Sequence, residues 1–161
     1  LGKGWGMSYT IFYTKISEDS FEVTGSGGKK ELYVRHSSGS GIFDRMNGNF
    51  NSFSEYQTGK FILKNKNGFK YYFDNSDHKM LTKLEDLNGN FILFNYVNNH
   101  LTQITDASGR SVQLTYTGNN LTLLKEANQT PEKNIRLTYD ANNRLVEMEE
   151  PDGLFYANRN S

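Results

Sequence analysis

LTKLEDLNGNFILFNYVNNH, at residues 81–100, is followed directly by LTQITDASGRSVQLTYTGNN, at residues 101–120. Aligned without gaps, the two stretches share Leu-Thr at the start, Asp at the sixth position, Gly at the ninth and Tyr at the sixteenth. A third copy begins at Leu121 and reaches Tyr139 after 18 residues rather than 15, and a fourth begins at Leu145. The chain is therefore predicted to be an array of similar units with a period of about 20 residues.

Two kinds of turn signal divide each copy. The first kind has an acidic residue at its first position and Gly at its fourth, which is typical of a type I turn. Its members are Asp86–Gly89, Asp106–Gly109 and Glu150–Gly153. The second kind follows the repeat tyrosine and is rich in Asn and Gly, which tolerate the positive φ of tight hairpins. Its members are residues 97–100, 117–120 and 140–144.

The segments between the turns have the patterns of short strands. Val112, Leu114 and Tyr116 alternate with polar residues, which predicts an antiparallel strand with one buried face. The leading strand of each copy instead places apolar residues at i and i+3, as at Leu121 and Leu124. Strict alternation would put these two on opposite faces, so a β-bulge or a sharp bend is expected there.

The predicted fold is all-β, with successive antiparallel hairpins that form a curved, twisted open sheet. We divide the chain into an irregular β entry segment over residues 1–59, the repeats over residues 60–157 and a tail over residues 158–161. A hairpin candidate at residues 61–73 is read as a degenerate copy, since its Gly68 lies 21 residues before Gly89. Repeat arrays bury their faces by stacking neighbours, so we expect a piece of a longer protein that can self-associate through exposed strand edges.

Composition argues against several functional classes. Cysteine is absent, so a disulfide scaffold is excluded. Lys+Arg and Asp+Glu both total 18, and this balance argues against a nucleic-acid partner, which normally requires a basic excess. The chain has no run of 18 or more apolar residues, so no membrane-spanning helix is expected.

The sequence pattern gives little support for a catalytic site or a metal site. His36, His78 and His100 are far apart and each lies beside a turn signal, so we expect surface histidines. The acidic pairs at residues 85–86 and 149–150 recur at a turn, and turn chemistry explains them better than acid–base catalysis.

Three loops resemble ligand-binding loops only in part. The stretch at residues 25–30 lacks the spacing of a phosphate loop and no helix is expected after it. The stretches at residues 74–77 and 140–143 carry oxygen ligands without a full calcium-loop pattern. The chain is therefore not expected to be an enzyme, and no catalytic, cofactor-binding or metal-binding residue is predicted.

The repeat pattern, seen best in Thr105–Arg110 and Tyr139–Leu145, resembles the tyrosine–aspartate (YD) repeat of the RHS, or rearrangement-hotspot, family. The resemblance covers roughly residues 60–153, and Gly2–Gly6 is similar to the stretch that precedes the repeats in bacterial RHS proteins. It implies the early wall of a hollow β-shell that encloses or presents a C-terminal, toxin-like domain of a polymorphic toxin. It also implies a secreted or cell-surface location in a bacterium. A carbohydrate- or protein-binding repeat module at the cell surface is the alternative.

Most of the singled-out residues are predicted to have structural roles. The glycines form turns, the leucines and tyrosines form the core, and Trp5 plugs one end of the sheet. These repeat positions are Gly68, Gly89, Gly109, Gly153, Tyr96, Tyr116, Tyr139, Asp86, Asp106, Leu81, Leu101, Leu121, Leu145 and Trp5. A second aromatic set either lies under another layer or forms an exposed patch for a ligand or partner. Its members are Tyr71, Tyr72, Phe91 and Phe94.

Overall fold

The computed structural model describes residues 7–46, 51–74, 78–127, 130–150 and 155–157. These residues form 15 β-strands, each hydrogen-bonded to the next along the chain, and all the registers observed are antiparallel. A 3-10 turn at Ser26–Gly28 is the single helical element in the described part. The strands are β1 Phe12–Ser17, β2 Ser20–Thr24, β3 Lys30–Arg35, β4 Ile42–Arg45, β5 Ser52–Gln57, β6 Lys60–Lys64, β7 Lys70–Phe73, β8 Lys83–Glu85, β9 Phe91–Val97, β10 His100–Asp106, β11 Ser111–Thr117, β12 Asn120–Glu126, β13 Asn134–Tyr139, β14 Leu145–Glu149 and β15 Phe155–Ala157.

The predicted fold class is confirmed, because the chain is nearly all-β and forms an open sheet of successive hairpins. Within the predicted β entry segment, the strands β1–β5 lie between Phe12 and Gln57. Trp5, Gly153 and the tail at residues 158–161 lie outside the described residues.

The described residues divide into two compact units, one of residues 7–93 and one within residues 94–161. In the first unit, each of the seven strands β1–β7 sends one aromatic ring to a common interior. Phe53, which has no exposed surface, lies 5.1 Å from Phe61 and 5.8 Å from Tyr13, measured between ring centroids. The seven rings are Tyr13, Phe21, Tyr33, Phe43, Phe53, Phe61 and Phe73.

The sheet of this unit is curved so strongly that β1 contacts the segment that precedes β8. The Tyr13 N–H donates to the Lys79 carbonyl at 3.0 Å, and the Leu81 N–H donates to the Ile11 carbonyl at 2.9 Å. These bonds satisfy backbone groups at the free edge of β1. The roll also encloses the aromatic rings, which a flat sheet would leave exposed on one face.

In the unit of residues 94–161, two strand pairs confirm the expected bulge. In the β11–β12 pair, Tyr116 faces Leu121 while Thr115 faces Leu123, so Thr122 is the extra residue. The β13–β14 pair has the same irregularity. The extra residue returns the apolar i and i+3 positions of β12 and β14 to one face of the sheet. The buried residues of this unit include Phe94, Leu101, Leu114, Leu121 and Leu137.

Candidate functional site

The Asp-x-x-Gly turn is a five-residue hairpin loop in which the aspartate satisfies the backbone. Asp106 Oδ1 accepts the N–H groups of Ser108 and Arg110, each at 3.0 Å. The Gly109 N–H donates to the Asp106 carbonyl at 3.0 Å, and Gly109 has φ +86°. This is a type I turn closed by a left-handed residue, as the sequence predicted.

Among the described residues, the same loop occurs at three further places, with Asn65, Asp86 or Asp140 at the first position. The loop at Asp140 was grouped by sequence with the Asn-rich turns, but its bonds are those of the Asp106 loop. Asn143 takes the place of glycine there with φ 60°. An Asp followed by a residue that tolerates positive φ three places later was the signal that could have identified it.

The second carboxylate oxygen of these aspartates binds the side chain at the fifth loop position. Arg110 Nε donates to Asp106 Oδ2 at 2.8 Å, and Asn90 Nδ2 donates to Asp86 Oδ2 at 2.8 Å. The Ser108 hydroxyl, and after it the Arg110 guanidinium, lower the pKa of Asp106 to about 2. The side chain of Asn90 likewise lowers the pKa of Asp86. Both carboxylates are therefore used by their own loops.

The Leu-Thr dipeptide that opens the first three copies has a specific role. Thr102 Oγ1 donates to the Asn95 carbonyl at 3.2 Å, and Thr122 Oγ1 donates to the Thr115 carbonyl at 3.2 Å. Thr82 makes the corresponding bond to the Tyr72 carbonyl at 3.0 Å. The hydroxyl thus binds a carbonyl of the preceding strand. The leucine that opens each copy is buried at Leu81, Leu101 and Leu121 and half-buried at Leu145.

The repeat tyrosines are half-buried. The Tyr139 hydroxyl donates to the Leu121 carbonyl at 2.8 Å, and the Tyr116 ring lies 4.6 Å from the His100 ring. Burial, with the neighbouring Tyr116, raises the pKa of Tyr96 to about 12. These tyrosines remain protonated at neutral pH, and Tyr116 and Tyr139 contact the strands that precede them.

The four candidate ligand-binding aromatics lie on opposite faces of the sheet. Phe94 is buried, and Tyr71 faces Leu63 across the β6–β7 pair on the interior side. Tyr72 and Phe91 lie on the outer face, with Lys83 Nζ 4.7 Å from the first ring centroid and 5.5 Å from the second. The structure therefore brings two of the four together, in cation–π contact with one lysine.

An ion cluster borders this outer pair. Glu85 accepts the ammonium groups of Lys70 at 2.7 Å and Lys83 at 2.6 Å. The hydrogen bonds from Lys70 and Lys83 lower the pKa of Glu85 to about 2. Tyr56, which sequence reasoning did not single out, meets Tyr72 edge-on at 5.9 Å between ring centroids. Together Tyr56, Tyr72 and Phe91 form the outer aromatic patch.

The remaining polar candidates make local contacts. His36 pairs with Asp44, His100 Nδ1 lies 3.1 Å from the Asn98 carbonyl oxygen, and the Met80 N–H donates to His78 Nδ1 at 3.1 Å. Glu149 pairs with Arg136 at 3.4 Å. Among the residues that the structure describes, no group of three His, Cys, Asp or Glu side chains is placed to hold a metal ion.

Comparison with protein-family models finds no match, and comparison with curated proteins finds no significantly similar sequence. Within the described ranges, no helix has the length and apolar character needed to cross a bilayer. The geometry of the repeats and of the outer aromatic patch is therefore what bears on function.

Proposed function

We propose that the chain is a structural repeat segment of an RHS-type shell that encloses or presents a C-terminal, toxin-like domain. One observation carries the proposal: equivalent positions of successive copies make the same bonds. The Asp loops at Asp86 and Asp106 and the threonine bonds at Thr102 and Thr122 are examples. A unit that repeats its bonds in this way extends a sheet by adding hairpins, which is the requirement for a wall.

The partners of such a wall are the remaining repeats and the C-terminal domain of the parent protein. A shell of this kind acts outside the cytoplasm, so the proposal includes a secreted or surface location in a bacterium. The residues described above would serve packing and turn formation rather than catalysis.

Limited proteolysis of the full-length parent protein tests this proposal. In a shell, the segment after the repeats is cleaved only at protease concentrations that also cut the wall. A parent protein with Asp106→Ala and Asp140→Ala should expose that segment earlier, because two wall hairpins lose their loop bonds. Asp106→Asn with Asp140→Asn is the control, because Asn65 shows that an amide oxygen can accept the same loop N–H groups. Equal cleavage of the segment in all these proteins would contradict the shell. A parent protein that has no such segment after the repeats would contradict it as well.

A second candidate function is a carbohydrate- or protein-binding module, and the outer aromatic patch favours it. Tyr56 is 47% exposed, and Tyr72 and Phe91 are half-exposed on the same face. Aromatic faces stack on sugar rings and on apolar side chains of partners. A glycan array with the wild type and Tyr56→Ala/Tyr72→Ala tests it, with Tyr9→Ala as control. Binding that the double variant retains would contradict a role for the patch.

A further inference from the structure

A cavity of about 250 Å³ opens at one end of the rolled unit of residues 7–93. Its apolar walls are Ile11 just before β1, Val23 of β2, Leu63 of β6 and the ring of Tyr71 in β7. Val23 and Leu63 are buried, so the cavity reaches the interior of the unit. Its volume lies just below the ~300–1,000 Å³ of sites for drug-sized ligands, so it suits a smaller molecule.

The polar rim of the cavity is organised around Glu31. Its Oε1 lies 3.2 Å from Lys29 Nζ and 3.0 Å from an Arg45 guanidinium nitrogen. Its Oε2 accepts the Tyr33 hydroxyl at 3.0 Å and Asn51 Nδ2 at 3.4 Å. Both carboxylate oxygens are thus occupied, and Glu31 is held by the protein rather than offered to a ligand.

Lys29 and Arg45, which does not itself line the cavity, share this single carboxylate, so the three groups together carry one positive charge in excess beside the rim. The Arg45 side chain is 14% exposed, whereas that of Lys29 is 71% exposed. The ammonium of Lys29 therefore has room to turn toward a bound molecule. The neighbouring Lys30 pairs with Glu22 at 2.8 Å, and neither of these two residues lines the cavity.

We propose that this cavity binds a small organic anion with an apolar body, the class represented by an aryl-alkyl carboxylate. The apolar walls receive the body of the ligand, and Lys29 at the mouth pairs with its carboxylate. An inorganic anion would leave the apolar walls unfilled. A cationic ligand would meet the excess positive charge of the rim. This site is separate from the packing roles in the proposed wall and does not depend on them.

Calorimetric titration with three probes of one shape tests the charge preference. Phenylpropionate, phenylpropanol and phenylpropylamine share the aromatic ring and linker and differ in the charged group. We expect the acid to bind most tightly and the amine least. We also expect added salt to lower the affinity of the acid and of no other probe. Equal affinity for the three probes, tighter binding of the amine, or no binding of the acid would overturn the proposal.

Two matched pairs of variants locate the site. Lys29→Gln should weaken phenylpropionate roughly two- to fivefold, as expected for loss of an exposed ion pair, and leave phenylpropanol unchanged. Lys30→Gln, one residue away, should leave both unchanged. Gly25→Phe should block both probes, while Gly25→Ala should not, because Gly25 lines the cavity and a Cβ there lies 3.7 Å from its nearest neighbour.

Nuclear magnetic resonance identifies where the acid binds. Addition of phenylpropionate should shift the methyl signals of Val23, Leu63 and Ile11 and leave those of Leu121 and Leu137 in place. An equal loss of affinity in Lys29→Gln and Lys30→Gln would place the carboxylate elsewhere. Methyl shifts confined to residues outside the cavity would do the same, and either result would refute the assignment.

Discussion

At the scale of single residues, the repeat is a set of side chains that satisfy backbone groups which a hairpin leaves unpaired. The carboxylate of Asp106 accepts two loop N–H groups, and the hydroxyl of Thr122 binds a strand carbonyl beside a bulge. A tight loop and a bulge both interrupt the ladder of backbone bonds. The residues common to successive copies stand where these interruptions occur.

Asp106 makes the free energy of unfolding depend on pH in the acid range. Its folded-state pKa of about 2 lies below its ordinary value, so its contribution is complete above pH ~4 and is lost as the pH falls toward 2. Asp106→Asn keeps the Oδ1 acceptor but cannot ionise, so the gap in stability between it and the wild type should narrow over this range. Urea unfolding between pH 2 and pH 7 measures this difference in unfolding free energy. A difference that stays constant over the range would contradict a stabilising role of the ionised carboxylate.

Thr122 offers a test of the hydroxyl alone. Thr122→Val keeps the shape and branching of the side chain but removes the donor to the Thr115 carbonyl. The free energy of unfolding should fall by about 1 kcal/mol. Thr122→Ser keeps the donor and should restore most of this loss. Chemical denaturation of the three proteins decides the point, and an equal loss in both variants would assign the effect to packing.

At the scale of elements, the strands of the rolled unit follow the same period as the hairpins farther along the chain. Tyr13, Tyr33, Phe53 and Phe73 lie 20 residues apart and all are buried. Each hairpin thereby adds one ring at an equivalent position of the interior. Packing of rings at centroid distances of about 5–6 Å gives this unit a continuous aromatic core.

Among the aromatic rings of the core, loss of Phe53 should lower the free energy of unfolding most. It touches six other aromatic rings and has no exposed surface. Phe53→Ala should cost about 3–5 kcal/mol of unfolding free energy, because it leaves a cavity that rigid strands cannot close. Phe53→Leu should cost much less. Tyr56→Ala, three residues away on the outer face, is the control. A small loss for Phe53→Ala in thermal and urea unfolding would contradict this view of the core.

The elements that sequence reasoning identified are those with local signals. The Asp106 loop and the bulge at Thr122 were predictable because the responsible residues lie within five positions of each other. The roll was not, since it joins Ile11 to Leu81, which are 70 residues apart in the chain. The 20-residue spacing of the aromatic rings is present in the sequence, but it was not predicted, because most of the loops between them lack the Asp-x-x-Gly pattern. The cavity forms only because the unit is rolled, so it could not be predicted from the sequence either.

At the scale of the whole molecule, the two units protect their apolar residues to different degrees. The unit of residues 7–93 surrounds its rings on several sides, and Tyr33, Phe43, Phe53 and Phe73 are almost fully buried. In the unit of residues 94–161, many inward residues such as Val112, Ile135 and Tyr139 are only half-buried. Less apolar surface is therefore removed from water per strand in the second unit, and each strand is held less strongly.

Native-state hydrogen exchange should reveal this difference. Amides of β5, β6 and β7 are expected to exchange more slowly than those of β11, β12 and β13, because local opening of a strand exposes more apolar surface in the rolled unit. Loop amides bound by Asp106 and Asp140 should be protected beyond ordinary turn amides, since each donates to a carboxylate oxygen. Exchange followed by mass spectrometry at neutral pH gives both comparisons. Slower exchange in β11–β13 than in β5–β7 would mean that stacking of hairpins, rather than enclosure of the rings, sets the stability of these strands.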